Sequence, residues 1–151
     1  MEITIDNLES GDVIALLEEH LRDMYATSPP ESVHALDVTA LKADNITFFA
    51  AREGGTLLGC VAIKSLDDLH LELKSMRTTH AVRGQGIGKQ LLAHVIAHAK
   101  QKSAQRISLE TGTQAYFIPA CKLYESFGFE YCAPFSDYKL DPNSHFMTKK
   151  I

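Results

Sequence analysis

The residues of this chain with the clearest capacity for chemistry form a short glycine-rich segment, Arg83-Gly84-Gln85-Gly86-Ile87-Gly88. The segment lies between a strand-like run and a run with helical periodicity, so its backbone amides stand at the start of a helix. The first N–H groups of a helix have no partners within it, and the aligned peptide dipoles favour negative charge there. Glycines let a ligand approach the main chain, and Arg83 adds a fork of donors suited to phosphate oxygens. The segment therefore predicts an anion site, most naturally for phosphate.

Two familiar glycine-rich phosphate loops do not match this spacing. A dinucleotide fingerprint needs Gly-x-Gly-x-x-Gly and an acidic residue for the ribose, whereas these glycines fall at every second position. A nucleotide-triphosphate loop needs Gly, four further residues and then Gly-Lys-Ser/Thr, but Arg83 stands at its first position and Gln90 follows Lys89. The pattern that remains is Arg-x-x-Gly-x-Gly, which by itself also fits a flexible turn that caps a helix. The rest of the chain must decide between these interpretations.

Composition narrows the class of protein. Of the 151 residues, 45% are hydrophobic and 23% are charged, which is typical of a soluble globule and predicts a single domain over residues 1–151. The net charge of -4 gives no electrostatic footprint for nucleic acid or an anionic membrane, so neither partner is expected. No apolar run approaches about 18 residues and no leader is recognisable at the N-terminus, which predicts a cytoplasmic protein. Cys60, Cys121 and Cys132 lack Cys-x-x-Cys spacing and are expected to be reduced and mostly buried.

Hydrophobic periodicity predicts the elements that must position the glycine-rich segment. Leu91, Leu92, Val95, Ile96 and Ala99 form an apolar helical stripe directly after it. In the strand before it, alternation predicts Leu71 and Leu73 on one face and Glu72, Lys74 and Met76 on the other. The predicted strands are 1–7, 46–52, 56–64, 70–78, 106–110, 129–132 and 144–149; the predicted helices are 12–24, 38–45, 86–102 and 115–127; residues 134–143 are predicted to form a loop.

A second motif lies in residues 120–129, where Ala-x-x-Leu-Tyr is followed by three residues and then Gly-Phe. Together with Arg83–Gly88 and the order of elements, it resembles the GCN5-related N-acetyltransferase (GNAT) superfamily. The resemblance covers about residues 46–132 well, and residues 30–36 and 72–77 resemble a bacterial subgroup of small acetyltransferases. It implies an α/β (α+β) fold with a central mixed, mostly antiparallel sheet of six to seven strands flanked by about four helices. One position departs from the family pattern, because Phe117 stands where many members have an Asn that contacts the cofactor.

The resemblance also implies a function, the transfer of the acetyl group of acetyl-CoA to a primary amine of a small molecule or peptide. Direct attack in a ternary complex is expected, with the pyrophosphate on the amides of residues 84–88. The main chain of Met76 and Thr78 would pair with the pantetheine arm like an added strand. The full set of expected cofactor-binding residues is Met76, Arg77, Thr78, Arg83, Gly84, Gln85, Gly86, Ile87, Gly88, Lys89 and Tyr124.

The resemblance further implies a role for Tyr124 as the general acid. A phenol titrating near about 10 stays protonated at neutral pH and can still protonate a thiolate whose parent thiol titrates near about 8.5. A core aromatic residue is the alternative interpretation of Tyr124.

Two residues are candidates for the general base. Glu72 is the first choice, since a carboxylate beside a desolvated cleft can have a raised pKa; the alternative is a surface carboxylate paired with Lys74. His34 is the second choice, and its alternative is a turn histidine. Glu110 is interpreted as an acceptor contact or a solvated residue.

Several other features point to less specific functions. His94 and His98 have helical i, i+4 metal spacing, but no third ligand is indicated, so a solvated face and no metal are expected. Cys121 has no base nearby in the sequence and is not expected to form an acetyl-enzyme. The alternatives that remain are a non-catalytic acyl-CoA-binding sensor with the same fold and a phosphate-loop protein of another class. A homodimer is possible, although no sequence feature indicates an interface.

Overall fold

Seven strands build the sheet of the protein, described here from a computed structural model of residues 1–151. If the strands are numbered along the chain, their order across the sheet is first, second, third, fourth, fifth, seventh and sixth. Neighbouring strands are antiparallel, except that the fourth and fifth are parallel. This confirms the predicted mixed, mostly antiparallel sheet. The strands are β1 (Glu2–Ile5), β2 (Ile46–Glu53), β3 (Thr56–Ser65), β4 (His70–Thr78), β5 (Arg106–Gly112), β6 (Glu130–Tyr131) and β7 (Ser144–Lys150).

Four helices cover the two faces of this sheet: α1 (Gly11–Thr27), α2 (Val38–Leu41), α3 (Ile87–Gln101) and α4 (Ile118–Ser126). The larger hydrophobic core lies beneath α3, where the predicted stripe of Leu91, Leu92, Val95, Ile96 and Ala99 is buried. A second core joins α1 and α2 to the opposite face of β2 and β3. The spacing of apolar residues along α3 thus determines which side of this helix packs on the sheet.

Two local predictions need correction. The predicted helix 115–127 is a 3-10 turn (Ala115–Phe117) followed by α4, which begins at Ile118 with Pro119 in its first turn, where the missing N–H costs nothing. His94 and His98 are half-buried and not fully solvated, since both rings pack edge to face against Phe49 at centroid distances of 4.9 and 5.1 Å. No group of three or more His, Cys, Asp or Glu side chains is arranged to hold a metal ion.

A bulge in β4 corrects the predicted alternation of that strand. Lys74 pairs with Ala62 and Arg77 pairs with Cys60, so two residues of β4 oppose one of β3. Ser75 has φ of 53°, the left-handed conformation that accommodates the extra residue. The phase of the side chains shifts there, and Met76 packs against the core beneath α3 instead of facing the same way as Glu72. The prediction that Met76 and Glu72 share a face was wrong.

The strands β4 and β5 are paired only over their first halves. The parallel ladder extends from His70 opposite Arg106 to Leu73 opposite Leu109, yet β4 continues to Thr78 and β5 to Gly112. Beyond Leu73, the edge of β4 that faces β5 therefore has no strand partner. This divergence opens the middle of the sheet at the carboxyl ends of both strands.

Candidate active site

A cleft of about 670 Å³ lies where β4 and β5 diverge. Its walls come from the second half of β4, the glycine-rich segment, the end of β5 and α4. Gln85 is the one expected cofactor-binding residue outside the lining, and its side-chain amide donates to the carbonyl of Ala81 at 3.4 Å. The other expected residues all line the cleft: Met76, Arg77, Thr78, Arg83, Gly84, Gly86, Ile87, Gly88, Lys89 and Tyr124.

The glycine-rich segment holds free backbone donors at the start of α3. Gly84 and Gly86 have φ of +79° and +84°, values that favour glycine, and Gly86 is the N-cap of the helix without a side-chain cap. The first helical bond runs from the N–H of Gln90 to the carbonyl of Gly86. The N–H groups of Ile87, Gly88 and Lys89 therefore have no partners within the helix and remain available to an anion.

The main chain of Arg77 lies along the cleft, but its guanidinium points to the opposite face of the sheet. The side chain is buried, donates to Asp23 at 2.7 Å and pairs with Glu19, both on α1. A further bond at 3.3 Å reaches the hydroxyl of Tyr116. The charge of Arg77 is thus neutralised by the two carboxylates on α1.

Tyr124 lies in the hydrophobic core and also at the wall of the cleft. Its ring belongs to the core and packs near Phe129, with 6% of the residue exposed. The same residue lines the cleft. Burial raises the pKa of its phenol, so the hydroxyl keeps its proton at neutral pH.

A small polar pocket of about 70 Å³ adjoins the cleft. Glu72 lies in its wall and is 2% exposed, so it is not a surface residue. Its carboxylate nevertheless pairs with Lys74, at 3.1 Å, and also accepts a hydrogen bond from the hydroxyl of Tyr138. Both contacts are to Oε2, so the first-choice base joins a network of three side chains through one of its oxygens.

His34 lies in the same pocket, together with Glu110. Its Nδ1 is 2.6 Å from Oε2 of Glu110, and the hydroxyl of Ser144 donates to the same oxygen at 2.9 Å. The side chain of His34 is 37% exposed and that of Glu110 only 12%. Burial raises the pKa of Glu110, although His34, Ser144 and Lys74 oppose the shift. The interpretation of Glu110 as a solvated residue is therefore wrong, because its side chain is largely buried.

Sequence reasoning missed the contribution of residues 134–143, which were predicted only as a loop. This segment places Tyr138 over the pocket, where its ring meets His34 edge to face at 5.2 Å. It also places Asp141 where it accepts a hydrogen bond from Ser32 at 2.7 Å. The aromatic residues Phe135 and Tyr138 were the available signal, since a loop without a role in packing or binding seldom needs them.

His20 on α1 lines both the pocket and the cleft, and 8% of it is exposed. Burial, with a further effect of the charge of Arg77, lowers its pKa from 6.5 to about 4. The folded protein therefore holds His20 neutral at pH values where the unfolded chain would protonate it.

This difference predicts a pH-dependent stability. As the pH falls from about 6.5 to about 4, the unfolded chain binds a proton that folded His20 does not, so the free energy of unfolding should fall by about 3 kcal/mol. Urea unfolding at pH 7 and at pH 4 measures the loss. The variant His20→Gln has no group to titrate and should lose less stability over this window. A variant with the same pH dependence as the wild type would contradict the prediction.

Comparison with known proteins assigns the class. The model of the acetyltransferase (GNAT) family matches residues 13–129, and the chain belongs to this family. N-acetyltransferase YsnE of Bacillus subtilis is 53% identical over the whole of both chains. N-acetyltransferase YedL of Escherichia coli is 45% identical, over 97% of this chain and 92% of its own. A protein of Azospirillum brasilense named IAA acetyltransferase is 36% identical, over 92% of this chain and 90% of its own.

Solved structures share the fold. An acyl-CoA N-acyltransferase structure from Klebsiella pneumoniae has a TM-score of 0.79 and 28% identity, covering 99% of this chain and 96% of that chain. A GNAT family acetyltransferase from Elizabethkingia anophelis with acetyl-CoA bound has a TM-score of 0.73 and 18% identity, covering 99% of this chain and 97% of that chain. None of the helices in the present structure has the length and apolar character needed to span a membrane.

Proposed function

We propose that this acetyltransferase moves the acetyl group of acetyl-CoA to the primary amine of a small molecule or peptide, by direct attack in a ternary complex. The observation that carries the proposal is the junction of two cavities at the divergence of β4 and β5. The large cleft runs from the glycine-rich segment to Tyr124, and the small polar pocket opens beside it. Each cavity suits one substrate, and the shared wall is where the two would react.

The cleft suits coenzyme A along its length. The free amides of Ile87, Gly88 and Lys89, with the cation of Arg83 beside them, suit the pyrophosphate. The unpaired edge of β4 offers main-chain groups of Met76 and Thr78 to the amides of pantetheine. The thioester then lies near Tyr124, which supplies the proton for the departing thiolate.

The cysteines support direct transfer. Neither Cys60 nor Cys121 lines the cleft or the pocket, and both are buried. Burial raises the pKa of the Cys60 thiol to about 12 and also raises that of Cys121, so neither is a ready nucleophile at neutral pH. This arrangement supports transfer without an acetyl-enzyme.

A thiol-release assay with acetyl-CoA tests the proposal. The panel contains amino acids, polyamines, aminoglycosides and peptides. It also contains IAA, because the relative from Azospirillum brasilense is named IAA acetyltransferase. We expect acceptor-dependent thiol release with at least one amine and double-reciprocal lines that intersect. Parallel lines with acetyl retained on the protein would contradict direct attack.

Binding measurements separate the proposal from its alternatives. We expect CoA to bind more tightly than ADP, because ADP has no pantetheine arm to pair with β4. Equal binding of CoA and ADP would favour a nucleotide-binding protein. Tight binding of acetyl-CoA without thiol release from any acceptor would favour a non-catalytic sensor.

A further inference from the structure

Glu110 is the one carboxylate that lines both cavities. The small pocket contains Glu72 and Glu110, but only Glu110 also borders the cleft. It lies in the last part of β5, beyond the point where this strand stops pairing with β4. A group in this position can touch an acceptor in the pocket and stay close to a thioester in the cleft.

The hydrogen bonds of Glu110 fix one of its oxygens and leave the other free. His34 Nδ1 and the hydroxyl of Ser144 both contact Oε2, at 2.6 and 2.9 Å. Oε1 has no hydrogen-bond partner in the protein, and it is not among the fully buried polar atoms that lack one. The carboxylate is thus oriented by two elements distant in sequence, with one oxygen open to a ligand.

Glu72 is less well placed than Glu110 to act at the junction of the two cavities. Its carboxylate lies 3.1 Å from the ammonium of Lys74, and both side chains are buried, with 3% and 8% exposed. Unlike Glu110, Glu72 lines the pocket only and does not border the cleft. The hydroxyl of Tyr138 donates a hydrogen bond to the same oxygen of Glu72, Oε2. The network of Glu72, Lys74 and Tyr138 therefore forms a wall of the pocket.

His20 is the other titratable group besides Lys74 and Glu110 that lines both cavities. Burial lowers the pKa of His20, to about 4, and so disfavours the proton-bound form, whereas burial raises the pKa of Glu110 and favours it. Lys74 carries a positive charge and accepts no proton in that form. Glu110 is the remaining candidate at the junction.

We propose that Glu110 binds the ammonium group of the acceptor through Oε1 and takes its proton, with His34 as the positioning residue that orients the carboxylate. The proposal rests on the proposed function and deepens it. It assigns to Glu110 the role of general base that the sequence analysis expected for Glu72 or His34.

One N–H bond of the ammonium breaks as an O–H bond forms on Glu110, which leaves a lone pair on nitrogen. That pair forms the C–N bond at the acetyl carbonyl carbon, and the C–S bond breaks with its electrons on sulfur. The thiolate takes a proton from Tyr124, and the second proton released by the nitrogen restores the phenol. The proton on Glu110 leaves to solvent past His34, whose side chain is 37% exposed.

The pH dependence of the reaction follows from this role. Burial holds the pKa of Glu110 above the ordinary value of a carboxyl group, although contacts with His34, Ser144 and Lys74 act in the opposite direction. Activity of the wild type should rise with pH as Glu110 loses its proton, because only the carboxylate can accept another. The groups that face Glu110 are His34, Glu72, Lys74, Tyr138 and Ser144.

The test compares two isosteric variants, Glu110→Gln and Glu72→Gln. The acceptor is the amine with the highest rate in the thiol-release panel, and the wild type is assayed beside both variants. We expect Glu110→Gln to lower kcat at least 100-fold, with acetyl-CoA binding unchanged, as for loss of a general base. As the pH increases, the residual activity of Glu110→Gln should rise only in proportion to the fraction of the amine that is unprotonated in solution. Glu72→Gln should lower kcat less than 10-fold and still show activity that rises with pH.

Further measurements separate a chemical role from a structural one. Circular dichroism and urea unfolding establish that the variants are folded. His34→Gln should retain more activity than Glu110→Gln but shift the rising limb of the pH profile, since it changes the surroundings of the carboxylate. A Glu110→Gln variant with the kcat and pH profile of the wild type would overturn the inference, as would a larger loss in Glu72→Gln. Absence of thiol release from the wild type would instead contradict the proposed function itself.

Discussion

Replacement of Tyr124 by phenylalanine is expected to lower kcat about 100-fold, as for loss of a general acid, and to leave acetyl-CoA binding unchanged. The ring of Tyr124 belongs to the core, and Phe keeps its packing near Phe129. The hydroxyl is the only group removed. If Tyr124 supplies the proton to the departing thiolate, the variant lacks that proton in the transition state but binds the ground state as before.

The measurement is the rate of thiol release at saturating acetyl-CoA and acceptor, with binding of acetyl-CoA followed by calorimetry. Tyr131→Phe is the matched control, because Tyr131 lies on β6 with 52% of the residue exposed and lines neither cavity of the site. Full activity of both variants would show that Tyr124 is only a core aromatic. Equal losses in the two would show that the effect is not local.

Substitution of Gly86 by alanine is expected to weaken CoA binding at least 10-fold, in addition to a loss of stability. Gly86 has φ of +84° and caps α3 beside the free amides that we assign to the pyrophosphate. An alanine in the left-handed conformation costs about 1–2 kcal/mol. Relief of that strain moves the backbone, and the amides then lose their alignment.

Gly55→Ala provides a control with nearly the same backbone. Gly55 has φ of +83° in the turn between β2 and β3, and a Cβ atom at either glycine would meet nothing within 4 Å. Both variants should lose similar stability in urea, but only Gly86→Ala should bind CoA more weakly in a calorimetric titration. Equal CoA affinities in the two variants would remove the glycine-rich segment from the cofactor site.

Much of the fold could be predicted because the signals are local. The stripe from Leu91 to Ala99 recurs at helical spacing, and the hairpin between β2 and β3 turns at the predicted glycines. Such patterns depend on neighbours a few residues apart, so the sequence displays them directly. Element boundaries shifted by a few residues, as in β6 and α4, where capping and pairing decide the ends.

The bulge at Ser75 shows where a local rule failed. Alternation over His70–Thr78 assumes an uninterrupted ladder, whereas pairing with β3 inserts an extra residue. One inserted residue moves every later side chain to the other face. That shift placed Met76 against the core beneath α3 and directed the guanidinium of Arg77 towards α1.

The sequence by itself determined the family, the order of the elements and the glycine-rich segment, because each is written in contiguous residues. Only the tertiary structure decided the polar pocket. His34 meets Glu110 across 76 positions, and Tyr138 meets Glu72 across 66. Such contacts form only when the divergence of β4 and β5 and the folding of residues 134–143 bring distant side chains together. The periodicity of the sequence does not predict such contacts, because it indicates which face of an element a residue occupies and not which distant residue lies opposite that face.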